Sequence, residues 1–386
     1  MTKEHFMRRA IELAKRGEGK VNPNPLVGAV IVKEGEIIAE GWHRCYGGLH
    51  AEREAIANLP DADILKGATM YVTLEPCCHF GKQPPCCDAV IEAGIKKVYV
   101  GSKDPNPLVS GKGIRRMRDA GVEVVEGFLE EECDSLNDVF FHYITTKRPY
   151  FFMKYAMTAD GKIATVTGDS KWISGEQSRR QVHKLRNKYM GIMVGIGTVL
   201  KDDPRLDCRL PMEARNPIPI ICDSKLQIPL SSTVVENTVK RRNNDKGELL
   251  TIVATLQKNL TDAGKKEKLL QLKEKGITVV GLQEKNGHID LSQLAEKLGE
   301  MGIDSVLLEG GGTLNDSALK AGIVNEVRVY VAPKIFGGSA GFTPVSGEGV
   351  MKVADAAKLT LVDVQRVEQD VVLSYKVNAA KDGETA

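Results

Sequence analysis

The chain reads as an α/β protein of two domains, on three observations. Short apolar runs alternate with helical patterns from end to end. The series stops and restarts between Thr145 and Pro149. The 386 residues also exceed what one ordinary core encloses.

Taken in order, "MTKEHFMRRAIELAKRG" sets Phe6, Met7, Ala10, Ile11 and Ala14 on one helical face. Strands are predicted at "LVGAVIV", "EIIAEGWH", "ATMYVTL" and "KKVYV", with helices starting at His50 and after Pro85. This is a layered α/β sandwich. After "GFLEEECDSLNDVFFHYITTKRP" a second series opens with the strand "YFFMKYAM" and the helical "EQSRRQVHKLRNKYM". It continues with strands at "GIMVG", "PIPIICD", "LLTIVAT", "GITVVG" and "DSVLLEGG". The domains are accordingly placed at 1–145 and 149–377. "ENTVKRRNNDKGE" reads as an exposed loop and "NAAKDGETA" as a frayed tail. No short-period repeat is present.

Composition narrows the function classes. Hydrophobic residues make up 42%, charged residues 27% and aromatics 5%, which argues against a disordered, fibrous or membrane chain. A formal net charge of +2 offers no broad attraction to nucleic acid or membranes. The clusters Arg115-Arg116-Arg118 and Lys240-Arg241-Arg242 read as solvated faces. Charges interrupt the N-terminal helix where a signal peptide needs an apolar core, so a cytoplasmic protein with reduced thiols is expected.

Four of the eight cysteines crowd into "LEPCCHFGKQPPCC" as two pairs, each after a proline, a spacing open to a metal, a disulfide or a redox couple. "LHAERE" resolves the choice toward metal. His50 and Glu52 stand two apart at a helix start and do not share a face, so one can bind a metal while the other moves protons. His50 with two thiolates gives Zn²⁺ three ligands and leaves a fourth position for water, and Glu52 is the candidate proton carrier. Cys77 and Cys86 directly follow prolines, and Pro85 suits a first helical position, where a helix N-terminus favours thiolate. Cys78 and Cys87 then read as packing residues. The zinc deaminase pattern H-x-E followed by P-C-x-x-C is matched in its first half only, because eight residues separate Cys77 from Cys86. A structural zinc module is the rival, and it has no use for an acid beside an open metal position.

"NPNPLVGAVIV", "GWH", "HAE", "TLEPCCHFGKQPPC" and "DPNPLVSGKG" together resemble the deaminase domain of the bifunctional riboflavin-biosynthesis deaminase/reductase family. The long spacing between the zinc cysteines is similar too. The resemblance implies a cytidine-deaminase-like α/β/α sandwich with His50, Cys77 and Cys86 on zinc, Glu52 as proton carrier, and Asn24 and His43 at the pyrimidine.

The second half lacks a G-x-G-x-x-G fingerprint: "VGIGTVL" has Leu200 where the third glycine belongs. In "LLEGGGTLNDSALKAG" a strand ends at Glu309, glycines follow, and a helix starts near Thr313. Those residues alone fit a phosphate cradle and a plain strand-to-helix turn equally well. "MTADGKIAT", "GDSKWIS", "VHKLRNKYMGIMVGIGTVLKDDPRLDCR", "ICDS", "LLEGGGTLN" and "VYVAPKIFGG" resemble the reductase domain of the same family, similar in fold to dihydrofolate reductase. The resemblance implies NADPH at Ala156, Trp172, Thr198, Asp202, Ser224, Gly311, Gly312 and Thr313. It also implies a ribosyl-phosphate substrate at Ser170, Arg186, Leu206, Arg209 and Glu309, and a homo-oligomer. Arg186 and Arg209 suit phosphate because a guanidinium donates two parallel hydrogen bonds.

Overall fold

The computed structural model describes residues 1–59, 62–107, 109–211, 214–242, 250–338 and 341–378. The chain divides into two compact units, Met1–Lys147 and Arg148–Ala386.

The first unit runs α1 (Lys3–Lys15), β1 (Gly28–Lys33), β2 (Glu36–Trp42), α2 (Ala51–Ala57), β3 (Thr69–Leu74), α3 (Cys86–Glu92), β4 (Lys97–Ser102), α4 (Lys112–Asp119), β5 (Glu123–Val125), α5 (Glu130–Asp134) and α6 (Asp138–Thr146). Its sheet has the order β2-β1-β3-β4-β5, with β1 antiparallel to both neighbours and β3, β4 and β5 parallel. Period-two alternation divides the strands between two cores. Ala29, Ile31, Met70, Val72, Val98 and Val100 pack with Ala51 and Ala55 of α2, Val90 of α3 and Met117 of α4. Val30, Val32, Tyr71 and Tyr99 pack with Phe6, Met7, Ala10 and Ile11 of α1, the face anticipated from spacing. Each large apolar side chain buried this way contributes about 1.5–3 kcal/mol. Thr2 caps α1 by accepting from the backbone N–H of His5 at 3.3 Å.

Gly41 brings the site helix close. A Cβ there would lie 2.4 Å from the Ala51 carbonyl oxygen, so only glycine lets β2 approach the start of α2 this nearly.

The second unit runs β6 (Tyr150–Thr158), α7 (Glu176–Lys188), β7 (Gly191–Gly195), α8 (Ile196–Asp202), β8 (Ile218–Cys222), α9 (Thr233–Arg242), β9 (Thr251–Leu256), α10 (Lys258–Thr261), α11 (Lys266–Glu274), β10 (Ile277–Leu282), β11 (Glu284–Lys285), β12 (His288–Ile289), α12 (Leu291–Glu300), β13 (Ser305–Leu308), α13 (Gly312–Lys320), β14 (Val324–Ala332), β15 (Leu359–Val367) and β16 (Asp370–Val377). Nine strands form one sheet, β10-β9-β8-β7-β13-β6-β14-β16-β15, parallel from β10 to β14 and closed by the antiparallel β16 and β15. Met193, Ile220, Ile252, Val306 and Leu308 pack with α12 through Leu291, Leu294 and Leu298. Ile192, Val194, Ile221 and Val253 pack on the other face with Val199 of α8, Val234 and Val235 of α9 and Leu272 of α11. From β6 the chain winds outward through β7 to β10 and then returns to insert β13 between β7 and β6. That reversal opens a crevice at the carboxyl ends of the central strands, where parallel sheets bind ligands.

Two expectations need revision. Glu236–Arg242 of the segment read as a loop belong to α9, because Val234, Val235 and Thr238 form a buried stripe that outweighs the polar composition around it; residues 243–248 of that segment lie outside the described residues. The tail from Ala379 onward and Leu108 of "DPNPLVSGKG" also lie outside them. The sequence reading passes over β15 and β16, although "LTLVDVQRV" and "DVVLSYKV" alternate at period two on either side of a short turn at Glu368 and Gln369.

Candidate active sites

In the first unit three short approaches converge. His50 is the N-cap residue of α2, Cys86 is the first residue of α3, and Cys77 lies on the connection from β3. Cys77 Sγ is 3.5 Å and Cys86 Sγ 3.3 Å from His50 Nδ1, and the three ligand atoms all lie within 4.8 Å of one another. One nitrogen and two sulfurs so placed fit a zinc ion with a position to spare. Cys86 lowers the pKa of the Cys77 thiol to about 4 and His50 adds to the effect, so Cys77 is held as a thiolate. Pro85 is the N-cap rather than the first helical residue; its ψ of 135° is extended.

Arg53, next in line on α2, donates through Nε to the Pro84 carbonyl at 3.0 Å and through Nη2 to the Pro85 carbonyl at 2.8 Å. It thereby ties the helix that carries His50 to the turn that delivers Cys86. Glu52 is 3% exposed, and burial, with the Cys77 charge adding, pushes its carboxyl up to about 7. His43 is buried, and burial lowers its pKa, leaving it neutral. Its Nδ1 faces the Leu49 carbonyl at 2.9 Å, an acceptor only, so Nδ1 carries the proton and Nε2 accepts from Asn24 Nδ2 at 3.1 Å. The His43 ring stands 5.3 Å from that of His50.

Cys87 is fully buried among Val90, Val98 and Met117, and Cys78 packs on the same cluster. Burial raises the pKa of both thiols, that of Cys87 to about 12. Two neighbouring acids escape the sequence reading. Glu75 accepts from the backbone N–H groups of Gly111 (2.9 Å), Gly113 (3.1 Å) and Ile114 (3.3 Å), locking the start of α4 to the strand end before Cys77. Asp104 is pushed up to about 6 by burial, with Glu75 and Cys77 adding, and accepts from Asn106 N–H at 2.8 Å. A carboxylate directly before Pro76-Cys77 is the only sequence signal for the first.

The second unit holds a cavity of about 1300 Å³ at the carboxyl ends of its central strands. Ala156, Ser170, Trp172, Arg186, Thr198, Asp202, Arg209, Ser224, Glu309, Gly311, Gly312 and Thr313 all line it. Leu206 is not among the lining residues: it is 3% exposed and packs with Ile192, Val194 and Val199. Glu309 receives a two-pronged hydrogen bond from Arg186, Nε to Oε1 at 2.8 Å and Nη2 to Oε2 at 2.7 Å. Burial alone would raise the Glu309 pKa, but the Arg186 charge outweighs it and holds the carboxyl at about 2.

That pairing changes the reading of Arg186. Its Nε and Nη2 donors serve Glu309, and Nη1 donates to the Asp207 carbonyl at 3.0 Å, so the Nε–Nη2 fork is already engaged and one N–H on each of Nη1 and Nη2 is left over. Gly312 changes as well. A Cβ there would lie 2.1 Å from Ser346 Oγ and 2.5 Å from the Thr343 carbonyl, so this glycine admits the chain's own segment; at Gly311 a Cβ would meet nothing within 4 Å. Lys154 and His183 line the cavity unannounced. Burial lowers the pKa of both, that of His183 to about 4 with Arg186 and Arg209 adding. A lysine inside the apolar "FFMKYAM" and a histidine three residues before Arg186 were the available signals.

The family model for the cytidine and deoxycytidylate deaminase zinc-binding region matches residues 1–102, and that for the RibD C-terminal domain matches residues 149–373. The riboflavin biosynthesis protein RibD of Actinobacillus pleuropneumoniae is 53% identical over 98% of this chain and 96% of its own length. Among solved structures, RibD of Acinetobacter baumannii aligns with a TM-score of 0.84 at 34% identity, covering 97% of this chain and 98% of that one. The diaminohydroxyphosphoribosylaminopyrimidine deaminase/5-amino-6-(5-phosphoribosylamino)uracil reductase of Thermotoga maritima aligns with a TM-score of 0.82 at 40% identity and the same coverage. Such likeness along both units makes the chain a member of the RibD family, the bifunctional deaminase/reductase enzymes of riboflavin biosynthesis that combine a zinc-binding deaminase half with an NADPH-dependent reductase half.

Proposed function

We propose that the first unit hydrolytically deaminates 2,5-diamino-6-(ribosylamino)-4(3H)-pyrimidinone 5′-phosphate and that the second reduces the ribosyl group of the product to ribityl. The observation that carries the reading is the convergence of His50, Cys77 and Cys86 with Glu52 buried beside them. Zinc held by those three side chains supplies a site where water is acidified and its fourth ligand position remains open. Glu52 takes the proton of the attacking water and delivers it to the departing amine, so the ring exchanges C–NH₂ for C=O and releases ammonia. His43, fixed by the Leu49 carbonyl, orients Asn24, whose remaining polar atoms meet the pyrimidine.

In the second unit NADPH, when bound, would supply the hydride for C1′ of the ring-opened imine, and solvent would supply the proton its nitrogen takes. The protein's task is to position and to exclude water. The N-terminus of α13 at Gly311 and Thr313 would receive the cofactor phosphates, helped by Thr198 and Ser224, and Ala156, Trp172 and Asp202 would lie along the cofactor, a reading supported by their all lining one cavity. Glu309, oriented by Arg186, meets the substrate with Ser170 and Arg209, while Leu206 supports that wall from beneath. Incubating purified protein with the diaminopyrimidinone ribosyl-phosphate and resolving products by mass tests both halves. Exchange of amine for carbonyl without NADPH, then a gain of two hydrogens with it, is expected; an unchanged mass in both arms refutes the reading.

A homo-oligomer is supported by β15, the last strand of the sheet, which exposes Leu361 (54%), Val362 (57%) and Val364 (56%). An open apolar edge of this kind is ordinarily covered by another chain. Val364→Lys should lower the mass seen by light scattering. Among the described residues no helix is long and apolar enough to cross a membrane. Among the described residues no cysteine is joined in a disulfide, which supports a reducing, cytoplasmic setting.

A further inference from the structure

His183 projects from the face of α7 that carries Arg179, Val182 and Arg186, all of which line the reductase cavity. Its ring is fixed in a defined tautomer. Nδ1 accepts the backbone N–H of Arg209 at 3.2 Å, so Nδ1 is bare and the ring proton sits on Nε2. Among the described residues Nε2 has no protein partner. Two further bonds dock the same segment on α7: Cys208 Sγ donates to the His183 carbonyl at 3.2 Å, and Arg186 Nη1 donates to the Asp207 carbonyl at 3.0 Å. Side-chain burial and the charges of Arg186 and Arg209 keep the imidazole neutral, a permanent donor rather than a base.

On this wall the Nε–Nη2 fork of Arg186 is engaged by Glu309 and Arg209 pairs with Asp207, so His183 Nε2–H adds a neutral donor, without a protein partner among the described residues, beside partly engaged guanidinium groups. We propose that His183 is a recognition residue for the substrate's phosphomonoester, Nε2–H donating to a phosphate oxygen while Nδ1 holds the Arg209 backbone alongside. The inference rests on the reductase reading above. It commits to the substrate phosphate and not to the 2′-phosphate of NADPH, because the strand-to-helix turns at Thr198 and Gly311 offer the cofactor a separate set of N–H groups.

The test uses the full zinc-loaded chain as wild type, His183→Gln and His183→Phe. Reductase turnover of 5-amino-6-(5-phosphoribosylamino)uracil is measured, inorganic phosphate binding is followed by calorimetry, and NADPH and NADH affinities are compared. For His183→Phe the KM should rise roughly tenfold or more, with kcat within about threefold, and phosphate affinity should fall in parallel. His183→Gln, which can still accept and donate, should recover part of the loss. NADPH affinity should not move. An unchanged KM and phosphate affinity overturns the proposal, as does a fall in kcat alone. Weaker NADPH binding with NADH unaffected overturns the assignment to substrate. If the phenylalanine variant does not fold, His183→Ala, which also lacks the donor, decides by the same readings. A wild type that binds phosphate without reducing the substrate overturns the functional reading alone, because phosphate binding is read without turnover.

Discussion

In the first unit three ligand atoms lie within 4.8 Å of one another beside one buried carboxylate, whereas the second spreads its contacts around a cavity of about 1300 Å³. The chemistry explains the contrast. Deamination needs a charge-dense centre and a proton carrier, so a few side chains bear most of the barrier and none tolerates replacement. Hydride transfer takes its reactivity from the cofactor and asks the protein for placement, which many moderate contacts can share. Loss of function should therefore be abrupt in the first unit and graded in the second.

The largest effect is expected at Glu52 and the zinc ligands. Glu52→Gln should keep zinc, measured by elemental analysis, while deamination falls by about 10² to 10⁴-fold. The same protein should still oxidise NADPH when given the already deaminated substrate; loss of both activities in folded, zinc-loaded protein would show that the units are not chemically separable. Single replacement of His50, Cys77 or Cys86 should drop zinc well below one per chain. Cys78→Ser and Cys87→Ser should retain it, with Cys87→Ser costing about 1–3 kcal/mol in urea unfolding for its buried hydroxyl.

Next comes acid sensitivity in the second unit. Glu309 is held at about 2, below its usual 4.5, so its ion pair contributes stability fully present above about pH 4.5 and lost as pH falls toward 2. The wild type minus Glu309→Gln difference in unfolding free energy should shrink by about 1–3 kcal/mol across that window. A flat difference would mean that Arg186 does not set the Glu309 charge.

The smallest effects separate two adjacent glycines. Gly311→Asp should weaken NADPH binding about tenfold by adding negative charge where the α13 N–H groups are free, with Gly311→Ala milder, both read by fluorescence titration. Gly312→Ala should instead lower stability by about 1–3 kcal/mol, because its Cβ collides with Thr343 and Ser346. Equal NADPH affinity in wild type and Gly311→Asp would place the cofactor phosphates elsewhere, toward Thr198 and Ser224.

Legibility followed the same divide. His50, Glu52, Cys77 and Cys86 could be singled out because their residue types are rare together and each falls at a helix start or beside a proline, features local in sequence. Arg53 could not, since the carbonyls it holds belong to Pro84 and Pro85, about thirty residues away and without chemical signature. In the second unit the glycine turn remained balanced between phosphate cradle and simple bend until resemblance entered. α9 was missed because composition in "ENTVKRRNNDKGE" looks polar until the sheet beneath Val234 and Val235 is present.

By itself, then, the sequence determined the alternation of strands and helices, the two-part organisation and the acid-and-zinc chemistry, because periodicity, proline placement and ligand type act over a few residues. Only the tertiary structure decided that the Arg186 fork engages Glu309, that Gly312 makes room for Thr343 and Ser346, and that His183 Nδ1 accepts from the Arg209 backbone. The reason is physical: a donor's partner is whichever acceptor folding brings within about 3 Å, and between Arg186 and Glu309 that means a helix and a strand end 123 residues apart in the chain.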